Sequence, residues 1–122
     1  MQAIRGAISV EENTAGAIIA ATKRLLLQVA EQNNLRAEEV ISIVFTATPD
    51  LNAAFPARAA REVGWTQVAL LDAVEMDVPQ ALPRTIRLLL LADRPHQPAS
   101  VKHVYLGEAA KLRPDWAASG RT

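Results

Sequence analysis

The run Ile86-Arg87-Leu88-Leu89-Leu90-Leu91-Ala92 is the most apolar stretch of the chain, and it carries a guanidinium near its head. It reads as a central β-strand, and a central strand has little room for an unpaired cation. Burying a charge without a partner costs on the order of several kcal/mol. Arg87 therefore needs an anion within reach, supplied either by a carboxylate of the protein or by a ligand. Which of the two it is decides what the chain does.

The 122 residues fit one domain, 1–122, with a real core. Half of them are hydrophobic and 21% are charged, which argues against disorder. Thirteen basic residues balance thirteen acidic ones, so there is no electrostatic footprint for nucleic acid or an anionic membrane. Ten of the thirteen cations are Arg, the residue suited to forked contact with carboxylate or phosphate. A high-GC codon bias, which the many Ala also suggest, gives the same skew. The chain has no Cys, so neither disulfides nor thiol chemistry are expected. Two histidines, His96 and His103, stand apart from any metal-ligand spacing, so no metal site is expected. No apolar run reaches membrane-spanning length and no leader pattern is present; the expected location is the cytoplasm.

Residues 2–10 read as a first strand. Asn13 and Thr14 are N-cap types, and Ile18, Thr22, Leu25, Leu26 and Val29 recur at helical steps, predicting a helix over about residues 15–32. Val40 to Thr48 is dense in β-branched residues and stops at Pro49: a second strand, expected to be covered on both faces. Pro56 suits the first turn of a second helix running to Gly64. Residues 67–71 form a third strand, the Arg87 run a fourth, and His103 to Leu106 a fifth. A short helix or turn through Leu112 follows, and residues 113–122 read as a mobile tail. The order β-α-β-α-β-β-β predicts an α+β fold: a mixed five-stranded sheet with helices on one face. Too few large residues remain to cover the other face, which is expected to pack on another subunit.

Four polar groups sit in or beside strands: Arg5, Arg87, Glu75 and Tyr105. Arg5 precedes Gly6, and a glycine in a strand often admits close approach of a backbone or ligand. Glu75 lies in an acidic segment with Asp72 and Asp77. Structural readings stand beside the chemical ones. Arg5 and Arg87 could pair with Glu75, Asp72 or Asp77; Tyr105 could be a core aromatic; Arg58 and Arg61 could be a solvated helix face. The residues alone support an α+β domain that binds a small anion.

Five stretches carry a more specific message. They are Ile4-Arg5-Gly6-Ala7 with Val10-Glu11; Thr46-Ala47-Thr48-Pro49-Asp50-Leu51; Ala54-Phe55-Pro56-Ala57-Arg58-Ala59-Ala60-Arg61; Glu75-Met76-Asp77-Val78; and His103-Val104-Tyr105-Leu106 with Leu112-Arg113-Pro114-Asp115. In this order and spacing, over nearly the whole chain, they resemble the AroH class of monofunctional chorismate mutases. The resemblance implies conversion of chorismate to prephenate, an intramolecular Claisen rearrangement in phenylalanine and tyrosine synthesis that needs no nucleophile, metal or cofactor. It implies a homotrimer with a barrel-like packed centre and sites between subunits. Arg87 matches the arginine that faces the breaking ether oxygen, and Arg5 the one that anchors a substrate carboxylate. Tyr105 matches the tyrosine that hydrogen-bonds that carboxylate. Glu75 matches the glutamate at the ring hydroxyl. Phe55, Ala57, Arg61 and Leu112 match pocket-lining positions, Arg58 a basic position near the mouth, and Arg113 a mobile segment that helps to cover the site.

Three departures stand out. Asp72 occupies a position where family members carry a small Cys, Ser or Thr near the ring hydroxyl. Gln80-Ala81 replaces a glycine-containing loop. The stretch before Gly64 is one residue shorter than in some relatives. Rival readings are a non-catalytic trimeric protein that binds a small carboxylate metabolite, a trimeric small-metabolite deaminase and a purely structural trimer. The first predicts binding without turnover; the five stretches do not match the second, and the third leaves the four polar groups unexplained.

Overall fold

A computed structural model describes residues 1–95 and 100–114. His96 and the tail from Asp115 onward lie outside the described residues. Within the described residues, five strands and two α-helices follow in the order β1 (Gln2–Ser9), α1 (Ala15–Gln32), β2 (Val40–Ala47), α2 (Ala57–Glu62), β3 (Ala69–Val74), β4 (Thr85–Ala92) and β5 (Val104–Leu106). Short 3-10 turns, Ala37–Glu39 and Gly107–Lys111, precede β2 and follow β5.

The strands order as β3-β2-β4-β1-β5. β4, the leucine run, is the middle strand, antiparallel to β1 on one side and β2 on the other. β3 and β5 add in parallel at the two edges. The mixed α+β sheet is therefore as expected, with differences at element ends. β3 runs to Val74 rather than Leu71, because its parallel register on Ser42–Ala47 of β2 sets its length, not its apolar content. α2 closes after six residues, short of Gly64.

Alternation divides the sheet into two unlike faces. Ile4 and Ile8 of β1, Ile86, Leu88 and Leu90 of β4, and Ile43 and Phe45 of β2 fall on one face in register. They join Ile18, Leu25, Leu26 and Val29 of α1 and Ala57, Ala59 and Ala60 of α2 in one core. Gly6 belongs to this packing: a Cβ there would meet Leu25 Cδ1 at 3.2 Å and the Val104 carbonyl oxygen at 3.3 Å. The close approach that glycine admits is thus that of α1 and β5. Thr14 caps α1, its hydroxyl accepting from Ala17 N–H at 3.1 Å.

Among the described residues, neither α1 nor α2 lies on the opposite face. Its covered part is a small cluster of Ala7, Tyr105 and Ala109 beside Leu82 and Leu112, where the Gly107–Lys111 turn folds back. Elsewhere on this face Leu71, Val44 and Leu89 line up across three strands at 60%, 37% and 45% exposure. Within one chain β2 is accordingly covered on one face, not two. The second face carries both this apolar rung and polar strand residues, and it is open in the fold.

Candidate active site

Arg87 lies on this open face, at the centre of a rung that runs Tyr105, Ala7, Arg87, Thr46, Ala73 across all five strands. Alanines at two of the five places leave room for a long cation. Arg5 lies on the same face one rung away, level with Leu89. The guanidinium is central in the sheet as its sequence context suggests, but its side chain remains 31% exposed. The helix-free face, not the core, receives it.

Its anion is present within the chain. Arg87 Nε stands 2.9 Å from Glu75 Oε1. The contact is an ion pair without a well-aimed hydrogen bond, since Arg87 Nε is buried and finds no acceptor in hydrogen-bond geometry. The internal partner left open by the sequence is therefore Glu75, rather than Asp72 or Asp77. Glu75 reaches the open face because its N–H donates to the Ala47 carbonyl at 2.9 Å, extending the β2–β3 ladder one residue beyond β3. Thr46 Oγ1 donates to Glu75 Oε1 at 2.9 Å and holds the carboxylate from the neighbouring strand. Thr46 stands in one of the five family-like stretches, but the sequence assigns it no role of its own.

A second polar group gathers beside Arg5. The Arg5 N–H donates to His103 Nδ1 at 3.0 Å. Burial, and after it the charges of Arg5 and Arg113, hold the His103 imidazole below its ordinary pKa. The segment before β5 is pinned by Asn33, which donates to the Lys102 carbonyl and accepts from Lys102 N–H, both at 2.8 Å. Asn33 was legible only as a helix terminator. Leu112 packs beside Tyr105. Arg5, Tyr105, His103, Leu112 and Arg113 thus lie together, with Arg87 and Glu75 next to them on the sheet.

The remaining candidates lie elsewhere. Asp72 pairs with Phe45, on the helix-bearing face. Its Oδ1 accepts the N–H of Ala57 at 3.0 Å and so caps the start of α2. The expected place of Asp72 beside Glu75 at a ring hydroxyl is not its place within this chain: one strand position of opposite parity sends it to the other face. Burial raises the Asp72 pKa, opposed by the Ala57 hydrogen bond and by Arg61. Ala57 is buried in the core rather than exposed in a pocket. Phe55 is 71% exposed and borders a groove with Arg58, Asp72 and Val74. Arg58 Nε donates to Glu62 Oε2 at 2.6 Å, an exposed pair of small energetic weight. One chain therefore brings together Arg87, Glu75, Arg5, Tyr105, Leu112 and Arg113, and keeps Phe55, Ala57, Arg58, Arg61 and Asp72 as a separate set around α2.

Among the described residues no cluster of three or more His, Asp or Glu could hold a metal ion. The site's chemistry is that of fixed charge: two arginines and a tyrosine hydroxyl beside one carboxylate, on an apolar floor. Such a surface can orient an anion and stabilise charge that develops during a reaction.

Comparison with known proteins gives the same direction. The family model for chorismate mutase type I matches residues 1–116. Chorismate mutase AroH of Thermus thermophilus is 50% identical over 116 residues, covering 94% of this chain and 95% of the relative. Chorismate mutase AroH of Bacillus subtilis (strain 168) is 38% identical over 123 residues, covering 100% and 97%. A solved chorismate mutase from Clostridium thermocellum superposes with a TM-score of 0.88 at 48% identity, covering 90% of this chain and 98% of that one. With the fold, the open-face arginines and these full-length likenesses in agreement, the chain belongs to the chorismate mutase type I family.

Proposed function

We propose that this chain is a chorismate mutase, an isomerase that converts chorismate to prephenate in aromatic amino acid synthesis, with Arg87, Glu75 and Arg5 as its principal catalytic groups. The observation that carries the reading is that Arg87, Glu75, Arg5 and Tyr105 lie together on one open face of the sheet. Chorismate is a dianion with an enolpyruvyl ether. Its rearrangement breaks the C–O bond and forms the new C–C bond within one molecule, so atoms and electrons balance without any added reagent.

Arg5 and Tyr105 hold a substrate carboxylate and select the folded conformer in which the reacting carbons meet. C–O cleavage runs ahead of C–C bonding and leaves negative charge on the ether oxygen. Arg87 faces that oxygen, so its charge stabilises the transition state more than the ground state. Glu75 binds the ring hydroxyl and faces the positive charge that develops on the ring, while its ion pair with Arg87 orients both groups.

The active assembly is a homotrimer with its sites between subunits. Two findings support this. The exposed apolar rung of Leu71, Val44 and Leu89 fits a protein contact better than water. The second set of candidates, Phe55, Arg58 and Arg61, lies apart from Arg87 in one chain, and a neighbouring subunit can supply it to a shared site. Asp72 then acts at a distance from the ring hydroxyl, by fixing the start of α2.

The test is direct. Purified protein is mixed with chorismate while the loss of ultraviolet absorbance and the formation of prephenate are followed. Acceleration over buffer is the expected result. Binding of chorismate without turnover would instead favour a non-catalytic carboxylate-binding protein.

A further inference from the structure

We propose that His103 is a positioning residue for Arg5: through its Nδ1 it fixes the stretch of β1 from which the Arg5 guanidinium projects. This rests on the reading of Arg5 as the anchor of a substrate carboxylate.

The argument begins with an accounting of backbone hydrogen bonds. β5 joins β1 in parallel only from Gly6, which pairs with Val104. One residue earlier the ladder has not begun, and the Arg5 N–H would face an edge with no strand carbonyl to accept it. A part-buried N–H left without an acceptor is costly. Here the acceptor is an imidazole nitrogen instead of a carbonyl, at 3.0 Å. The ring is itself well anchored, because Asn33 clamps both backbone groups of the preceding Lys102 to the C-terminal end of α1. A continuous chain of contacts thus runs from α1 through Asn33, Lys102 and His103 to the backbone of Arg5. Tyr105, two residues after His103, is set on its rung by the same strand.

This bond places a chemical condition on the ring. An Nδ1 that accepts a hydrogen bond carries no proton, so the neutral tautomer is the one with its hydrogen on Nε2. Among the described residues, the charged groups that act on the ring come from both sides: Arg5 from β1 and Arg113 from the segment after the C-terminal turn. Both are cations, and with burial they favour the neutral form. Protonation of Nδ1 would turn the acceptor into a donor facing the Arg5 N–H. The bond would break, and Arg5 would lose its fixed origin.

Two variants and three readouts test this. His103→Asn keeps an acceptor oxygen at the place of Nδ1 and cannot titrate, whereas His103→Ala removes the acceptor. For His103→Ala we expect KM for chorismate to rise about tenfold, the worth of one hydrogen bond near the upper end of its usual net range, with kcat changed by less than about threefold. His103→Asn is expected to stay within about twofold of the native KM and to lose the fall in kcat/KM expected of the native protein as pH drops below the ordinary histidine value. The amide hydrogen of Arg5 is expected to exchange faster in His103→Ala than in the native protein and His103→Asn. An unchanged KM in His103→Ala, an Asn variant as impaired as the Ala variant, or an acid limb that persists in His103→Asn would each overturn the proposal. A role limited to stability would lower the melting temperature of both variants without dividing KM from kcat, and would overturn it too. Absence of turnover in the native protein would sink the chorismate mutase reading instead; the Arg5 amide exchange then decides the His103 bond, and equal rates in native and Ala proteins would refute it.

Discussion

Glu75 and Arg87 meet across the helix-free face with Oε1 and Nε 2.9 Å apart, and Thr46 Oγ1 donates to that same carboxylate oxygen at 2.9 Å. Three chain segments converge here: β2 supplies Thr46, β4 supplies Arg87, and the residue following β3 supplies Glu75. The carboxylate balances the guanidinium while remaining partly open to solvent, so the pair orients the two groups more than it stabilises the fold. A site built in this way can present a cation to a developing anion without leaving that cation uncompensated.

Replacing Arg87 by citrulline keeps the shape of the side chain and removes its charge. If the charge stabilises the breaking ether, kcat is expected to fall by at least about a thousandfold, comparable with or larger than the loss of one oxyanion donor. Chorismate absorbance measures the rate, and sedimentation confirms that assembly is unchanged. Activity within tenfold of the native protein would show that orientation alone suffices.

Thr46→Val removes one hydroxyl and preserves β-branching and volume. The Glu75 carboxylate then loses the donor that holds it from β2. A loss of about three- to tenfold in kcat/KM is expected, the scale of one ordinary net hydrogen bond, because the carboxylate retains its ion partner. Thermal unfolding should change little. Full activity in Thr46→Val would mean that Arg87 alone orients Glu75.

Arg87 was legible in the sequence because a cation inside a leucine run is conspicuous. The face it occupies was not. Leu88 and Leu90 are covered by α1 while Leu89 is exposed, yet composition does not distinguish alternate leucines. Only the pairing of β4 between β1 and β2 settles which face is covered. The resemblance implies a place for Asp72 near the ring hydroxyl and Glu75, and within one chain strand parity separates the two carboxylates. Asn33 and His103 could not be assigned from sequence, because their partners Lys102 and Arg5 are far along the chain. The helix over residues 15–32 was legible, because its cap and its apolar spacing are local.

Asp72 should reveal its cap through pH. Burial holds its folded pKa above the usual carboxylate value, so between the two values the folded state binds more protons than the unfolded. The stability linked to this group is therefore fully present below about pH 4 and is lost as pH rises through the folded value. Asp72→Asn keeps an acceptor for the Ala57 N–H and has no charge to bury. It is expected to equal or exceed the native stability at pH 7, and the difference should shrink toward pH 4. Asp72→Ala leaves that N–H without its acceptor and should lose about 1 kcal/mol. Urea unfolding at the two pH values checks both, and an Asn variant as weak as the Ala variant at pH 7 would refute the cap.

Gln80 stands in the loop where relatives are expected to carry glycine, and its φ is +69°, in the left-handed region. The turn takes a left-handed residue without the glycine that adopts that conformation freely. Gln80→Gly is expected to raise stability by about 0.5–1 kcal/mol, because the relief of left-handed strain exceeds the added entropy of the unfolded chain. The melting temperature should rise. A fall would mean that the side chain makes a compensating contact in the assembled protein.

The apolar rung tests the assembly. Leu89 lies between Val44 and Arg5 on the open face. A carboxylate placed there would be buried among apolar side chains if the face is an interface, with only the neighbouring Arg5 to offset its desolvation, and would draw Arg5 away from substrate. Leu89→Glu is therefore expected to shift the protein from trimer to monomer in sedimentation velocity and to abolish most turnover. The folded chain should persist, because Leu89 lies outside the core. Leu27→Glu is the control: Leu27 is also exposed, but it lies on α1, away from the open face. It should change neither mass nor rate. Equal effects of the two substitutions would mean that the open face is not where the subunits meet, and the shared-site arrangement would have to be abandoned.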